Sequence, residues 1–288
     1  AIAMPELRTD DLAPYVQANA LHIPQRTLVR NEYRIANESS SAVLDKIREA
    51  GVPLGQYLNG KVYWGIKTGY NKAFVIDAAT KDRLIAADAR SAEVIKPFVV
   101  GSDVKRYGQA AANRYLIFTR RGIDINEYPA IQEHLIQHRT ELEPRPAEWK
   151  GKTAEWPGRK PGPYKWYEIQ DNVDYYKLME VPKILYPDIA PSPQFQLALD
   201  GSYCGNTCYF IPTGEKALLG VLNSKVFAYY YASVSTVMRG GYFRFFSQYV
   251  EAAPIPPMSE EVRTKLDALV TRRIAGDASA EAEIDAVV

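Results

Sequence analysis

Ser235-Thr-Val-Met-Arg-Gly-Gly-Tyr-Phe-Arg-Phe-Phe246 sets Arg239 and Arg244 around a glycine pair and interleaves them with Tyr242, Phe243, Phe245 and Phe246. Adjacent glycines adopt positive φ and let a backbone approach a large partner closely. Guanidiniums supply forked donors that suit phosphates and the guanine edge. Two readings are open here: a surface that meets nucleic acid, or a hairpin turn whose aromatics enter the core.

Outward from this stretch the chain alternates short strands with helices. On its N-terminal side, Glu215 to about Ser233 carries Leu218, Leu219, Leu222, Val226, Tyr229 and Tyr230 at three-and-four spacing, a helical stripe. Before it, Lys183–Tyr186, Phe195–Leu199 and Cys208–Ile211 read as strands separated by turns. Val62–Ile66 and Ala73–Ile76 read as strands around a Lys67-Thr-Gly-Tyr-Asn-Lys72 turn, and Tyr115–Phe118 as another. Helical patterns fall near 42–50, 79–87, 91–96 and 126–142, with two more at 259–275 and 279–288. The stretch 143–166 stands apart, with five prolines, three glycines and three of the four tryptophans. So much proline forbids a regular element, while the tryptophans argue for order, so an ordered basic loop is expected.

Composition bounds the answer. With 288 residues, 47% hydrophobic and 24% charged, the chain has the makeup of a soluble globular protein. Thirty-five Lys and Arg balance 34 Asp and Glu, so no global basic excess announces nucleic acid. The distribution is uneven: residues 96–121 carry a local charge of +5, residues 145–165 of +4, and the stretch from 258 onward −3. A basic middle and an acidic tail suit a protein with one DNA-facing side, although solvated helix faces give the same runs. Cys204 and Cys208 would lie roughly 13 Å apart along one strand, too far for a disulfide. They read as small buried hydrophobes, which points to a reducing cytoplasm. No apolar run reaches membrane-spanning length.

Recognisable catalytic signatures are missing. There is no phosphate-cradling loop, dinucleotide fingerprint or Gly-x-Ser-x-Gly elbow. His134 and His138 have metal-ligand spacing, but Leu135 stands where a metalloprotease needs glutamate, so they read as polar-face histidines. Pro187-Asp188 invites a nuclease reading, yet the one suitable Glu-x-Lys, Glu148-Trp149-Lys150, precedes it; a turn after a strand fits better.

Taken in order, several segments resemble one family. They are Gly65-Ile-Lys-Thr-Gly-Tyr-Asn-Lys-Ala-Phe-Val-Ile-Asp77, Ile95-Lys-Pro-Phe-Val-Val-Gly-Ser-Asp-Val-Lys-Arg-Tyr107, Pro182–Ile189, Tyr203–Ile211, Leu218–Phe227 and Arg239–Phe245. Together they are similar to the TaqI-like C-terminal specificity domain, the target-recognition region of type IIG restriction-modification enzymes and related adenine methyltransferases. The resemblance implies an α+β (mixed α/β) fold with a curved, mostly antiparallel sheet, flanking helices and a C-terminal helical segment. It implies a recognition domain over 51–257, a connector with a short helix over 1–50, and a helical segment over 258–288 that relatives would extend. The partners implied are double-stranded DNA and a methyltransferase domain of the same protein. The family's Asn-Pro-Pro-Tyr-type motif does not occur in this sequence. S-adenosylmethionine and Mg2+ are therefore expected in other domains, no cofactor or catalytic residue is assigned here, and no membrane is involved.

The residues expected to meet DNA are Lys67, Thr68, Tyr70, Asn71 and Lys72 in one turn, Lys105 and Arg106 in a second, Arg159, Lys160, Tyr164, Lys165 and Trp166 in the long loop, and Arg239, Tyr242 and Arg244 around the glycine pair. Lysine and arginine would hold phosphates while a few loop side chains read base edges. Two rival readings come from other classes: a metal-dependent nuclease using Asp188, and a protein-assembly module using the aromatic helices 215–233 and 259–275.

Overall fold

A computed structural model describes residues 12–19, 38–108, 113–238 and 240–288. Its strands, in chain order, are β1 (Val52–Pro53), β2 (Tyr63–Trp64), β3 (Val75–Ile76), β4 (Ile95–Val99), β5 (Arg114–Ile117), β6 (Lys183–Pro187), β7 (Ile189–Ala190), β8 (Gln196–Ala198), β9 (Tyr203–Cys204), β10 (Cys208–Ile211), β11 (Phe243–Arg244) and β12 (Pro254–Ile255). They form two four-stranded sheets, ordered β3-β5-β4-β9 and β2-β10-β6-β8, and two small pairs, β1-β12 and β11-β7. Every pairing is antiparallel except β4 with β9, so the class is mixed α/β with mostly antiparallel strands.

The two larger sheets meet where β9 turns into β10. Gly65 N–H donates to the Cys208 carbonyl at 2.9 Å, and Ile66 N–H to that of Cys204 at 2.7 Å. In return Asn206 N–H donates to the Ile66 carbonyl at 3.0 Å, and Gly205 N–H to that of Val99 at 2.9 Å. This lacing requires backbones closer than any side chain allows: a Cβ on Gly65 would lie 2.1 Å from the Gly205 carbonyl oxygen. The cysteines therefore belong to two different strands rather than one, and both are buried as expected.

Two hydrophobic cores lie on opposite sides of the sheet β2-β10-β6-β8. Leu185, Cys208 and Phe210 face the core that includes Phe74, Phe98, Leu116, Ile131 and Tyr203. Ile184, Tyr186, Tyr209 and Ile211 alternate to the other side and join Leu218, Leu222, Phe227, Tyr231 and Phe245. A strand covered on both faces reads as a continuous apolar run, which is why Lys183–Pro187 is buried throughout. Lys183 sits within that run, where its ammonium donates to the Met179 carbonyl at 2.7 Å. The C-terminal helices Glu260–Ile274 and Ala280–Val287 contribute Leu266, Val270 and Ile284 to the second core.

Some sequence expectations shift locally. The helix expected over 215–233 is two, Lys216–Leu222 and Lys225–Val234. Buried Asn223 makes the break: its amide accepts from the Phe195 N–H at 3.0 Å and donates to the Phe195 carbonyl at 2.8 Å. Ser224 then caps the second helix by accepting from the Phe227 N–H. The helix expected over 91–96 stops at Val94, because Pro97 drives its predecessor into extended backbone and β4 begins at Ile95. Asn71–Phe74 is a helical turn before β3 rather than strand, and 126–142 divides into Pro129–Ile136 and Arg139–Leu142.

Gly65→Ala is expected to cost about 3 kcal/mol or more through overpacking at the sheet junction. Gly60→Ala, whose Cβ would meet nothing closer than 3.5 Å, is expected to cost under about 1 kcal/mol. Urea unfolding midpoints of the two variants check the difference.

Candidate nucleic-acid interface

The turn Gly205-Asn206-Thr207 between β9 and β10 is a crossroads. Asn206 holds the strand end that leads into the Lys67–Lys72 turn, through its bond to the Ile66 carbonyl. The Thr207 hydroxyl accepts from the Gly101 N–H at 2.9 Å, anchoring the loop that carries Lys105 and Arg106. Its carbonyl accepts from the Asp188 N–H at 2.9 Å, and the Asp188 carbonyl accepts from Phe245 N–H at 2.7 Å. Three of the four segments expected to meet DNA are thus tied to one short turn.

The glycine pair does form a hairpin. Val237 bridges Phe243, Met238 N–H donates to the Tyr242 carbonyl at 2.7 Å, and Gly240 and Gly241 have φ of 88° and 79°. The hairpin reading of this stretch holds, with Phe245 buried in the second core, while Tyr242 stays 45% exposed. Arg239 lies outside the described residues. Arg244 is not a free fork: its Nε and Nη2 reach Asp188 Oδ1 at 3.3 Å and Oδ2 at 3.0 Å, and its guanidinium lies 4.7 Å from the Phe246 ring centre. Asp188 is accordingly an arginine anchor at the end of β6, consistent with the turn reading of Pro187-Asp188.

In the Lys67–Lys72 turn, Lys72 and Asn71 are exposed and Lys67 is half-buried. Thr68 faces inward; its hydroxyl donates to Asn71 Oδ1 at 2.6 Å, so the Asn71 carbonyl group is engaged in its own turn. Tyr70 packs its ring against the first core.

The long loop is folded around Arg159, which the sequence places among the DNA contacts and the structure does not. Arg159 is only 4% exposed. Its guanidinium donates to five main-chain carbonyls: Leu142 at 2.7 Å, Thr68 at 2.9 Å, Glu168 at 2.7 Å, Lys165 at 3.2 Å and Trp166 at 2.9 Å. Burial lowers its pKa to about 10, so it remains charged at neutral pH. Gly69, at φ 85°, lets the turn close over it, since a Cβ there would lie 2.7 Å from the Arg159 side chain. Tyr164 is also turned in, with its hydroxyl donating to the Lys160 carbonyl and its ring 4.5 Å from the Arg159 guanidinium. Lys160 and Lys165 stay exposed, and half-buried Trp166 carries Arg139 over its ring at 4.3 Å.

Lys105 and Arg106 part company. Lys105 is exposed, whereas Arg106 points to the C-terminal helices, bonding the Asn223 carbonyl and pairing with Glu281 at 2.6 Å. The left-handed φ of 54° at Tyr107 accompanies this inward turn and buries its ring. The histidines are likewise structural: His134 bonds the Ala73 carbonyl at 3.1 Å, and burial lowers its pKa. Among the described residues no three His, Cys, Asp or Glu side chains are grouped to hold a metal ion. No described helix is long and apolar enough to cross a membrane.

Sequence reasoning passed over Trp64, Asn206 and Thr207. The signal was present in the Gly-Asn-Thr between two small apolar residues, which is turn composition. Nothing in the sequence marked Trp64 as the exposed aromatic beside that turn.

A family model described as the TaqI-like C-terminal specificity domain matches residues 96–255. The type II methyltransferase M.PaeR7I of Pseudomonas aeruginosa is 28% identical over 251 residues, covering 85% of this chain and 41% of its own length. The type II methyltransferase M.XhoI of Xanthomonas vasicola is 25% identical over 252 residues, covering 85% and 43%. The chain thus spans less than half the length of these two relatives. Among solved structures, the type IIL restriction-modification enzyme MmeI, determined in complex with DNA, superposes with a TM-score of 0.55 at 16% identity. That match covers 79% of this chain and 32% of the MmeI chain, and it shows a shared fold.

Arg159→Met is expected to lower stability by about 3 kcal/mol or more, because five buried carbonyls lose a charged donor, although Thr68 and Lys165 keep a main-chain one. Arg159→Lys restores the charge without the fork and is expected to recover little of the loss. Thermal unfolding and limited proteolysis within 143–170 test both variants.

Proposed function

Since the chain belongs to the family of TaqI-like C-terminal specificity domains, we propose that it recognises a particular double-stranded DNA sequence within a restriction-modification enzyme and positions that site for a methyltransferase domain of the same protein. The observation that carries this reading is the crossroads at Gly205–Thr207, where a small rigid element holds three loops bearing Lys67, Lys72, Lys105, Tyr242 and Arg244. Such loops on a fixed scaffold suit readout of a duplex, with lysines on phosphates and the hairpin at base edges. The chain supplies recognition and no chemistry in this reading. S-adenosylmethionine and Mg2+ act in other domains, and the setting is the cytoplasm.

The electrostatics refine the roles. Because Asp188 occupies two nitrogens of Arg244, the free contribution of that arginine is Nη1, which makes no hydrogen bond among the described residues. Asp188 fixes where that nitrogen points, and a fixed donor discriminates between base edges better than a mobile one. Arg106 and Arg159 hold the loops and touch no DNA.

DNA affinity of the intact protein is expected to fall with a log–log salt slope of about one per phosphate neutralised. Lys67→Ala, Lys72→Ala and Lys105→Ala should each reduce that slope by about one and weaken all duplexes alike. Arg106→Ala should lower the melting temperature instead, with the slope unchanged. Flat binding between low and physiological salt would refute the assignment.

A separate expectation concerns Asp188→Asn. Removing a negative charge should strengthen binding to random duplex, yet freeing Arg244 should lower the preference for the protein's own target, found by selection from a random library. Loss of about 1–3 kcal/mol of discrimination is expected. An unchanged ratio of specific to random binding would assign the Arg244–Asp188 pair to stability alone.

A further inference from the structure

Trp64 is the most exposed aromatic among the described residues, at 50%, yet it is firmly held. One face of its indole stacks on Tyr209, with centroids 5.5 Å apart and planes 21° from parallel, and Tyr209 stacks in turn on buried Tyr186 at 5.3 Å and 9°. Its Nε1–H donates to the Asn206 carbonyl at 2.7 Å, and its own carbonyl accepts from the Tyr175 hydroxyl at 2.9 Å. The next residue is Gly65, sealed against Gly205. The ring's single polar group is thus satisfied by the protein, one face is stacked on Tyr209, and the half-exposed residue turns its remaining surface outward from β2 beside the turn that gathers the three loops.

We infer that the open face of Trp64 is a stacking platform for a nucleobase of the bound DNA. The inference rests on the DNA reading above and adds to it a contact made by neither charge nor hydrogen bond. A rigid aromatic with its N–H already bonded loses little freedom on binding and offers no donor to a protein or sugar hydroxyl. What it fits is a flat face, and every base has one. In a duplex that face becomes available where a base step is kinked open or a base is turned out of the stack. Lys67, three residues along the chain, is placed to meet a phosphate of the same strand.

The test is a set of Trp64 variants in the intact protein, titrated with duplex DNA containing its target at several salt concentrations. Trp64→Ala should bind about tenfold more weakly at every salt, with the slope of the parent, because stacking neutralises no phosphate. Trp64→Phe should stay within about threefold of the parent, and Trp64→Leu should be as weak as alanine, because it keeps apolar bulk but no π-face. Melting temperatures show which variants are folded; should alanine disturb the strand, the phenylalanine–leucine contrast decides. Leucine or alanine binding within twofold of the parent overturns the platform while leaving DNA recognition standing. A parent that shows no salt-dependent DNA binding overturns both.

Discussion

Main chain against main chain at Gly65 and Gly205 is the contact on which the remaining architecture depends. Four hydrogen bonds between residues 65–66, 99 and 204–208 lace two sheets into one body; a Cβ on Gly65 would strike the Gly205 main chain, and one on Gly205 would strike the Phe98 ring. The junction also fixes the turn Gly205–Thr207, and through it the loops after Ile66, at Gly101 and at Asp188. A rigid seam rather than a pocket sits at the centre of this fold. That is what a reader of an extended polymer needs, since its contacts must keep a constant spacing over many ångströms.

Charge is spent in two ways around this seam. Arg106, Arg159 and Arg244 are all engaged with the protein, one by a glutamate and a carbonyl, one by five carbonyls, one by an aspartate. The lysines Lys72, Lys105, Lys160 and Lys165 remain exposed. The division follows from the side chains themselves. A planar guanidinium is more weakly hydrated and satisfies several acceptors at fixed angles, so it enters the interior at lower cost; an ammonium keeps its water and stays outside.

The fold was legible in the sequence wherever a local pattern and the tertiary outcome agreed. The strands at 183–186 and 208–211 and the terminal helices announced themselves by periodicity or turn composition, and the hairpin at the glycine pair was one of two open readings. The break at Asn223 was not legible, because it depends on the backbone of Phe195, 28 residues away. The candidate site divided along the same line. Basic residues in a row, such as Lys105-Arg106 or Arg159-Lys160, look alike in sequence, yet one of each pair turns inward for partners that come from distant segments. Trp64 was hidden for the opposite reason: a strand residue of alternating pattern gives no hint that its covering layer ends just there.

Every hydrogen bond Arg159 donates goes to a main-chain oxygen, and every amino acid carries one; of the stretch's side chains, the ring of Tyr164 lies against it. Its hold on the stretch 142–168 is therefore indifferent to which side chains that stretch displays outward, the buried Tyr164 excepted. Lys160, Lys165 and Trp166 can be exchanged by mutation while the clasp beneath them stays closed, so the loop's outer surface and its conformation are inherited separately. A protein built this way can explore new binding preferences one substitution at a time without first finding a new way to fold.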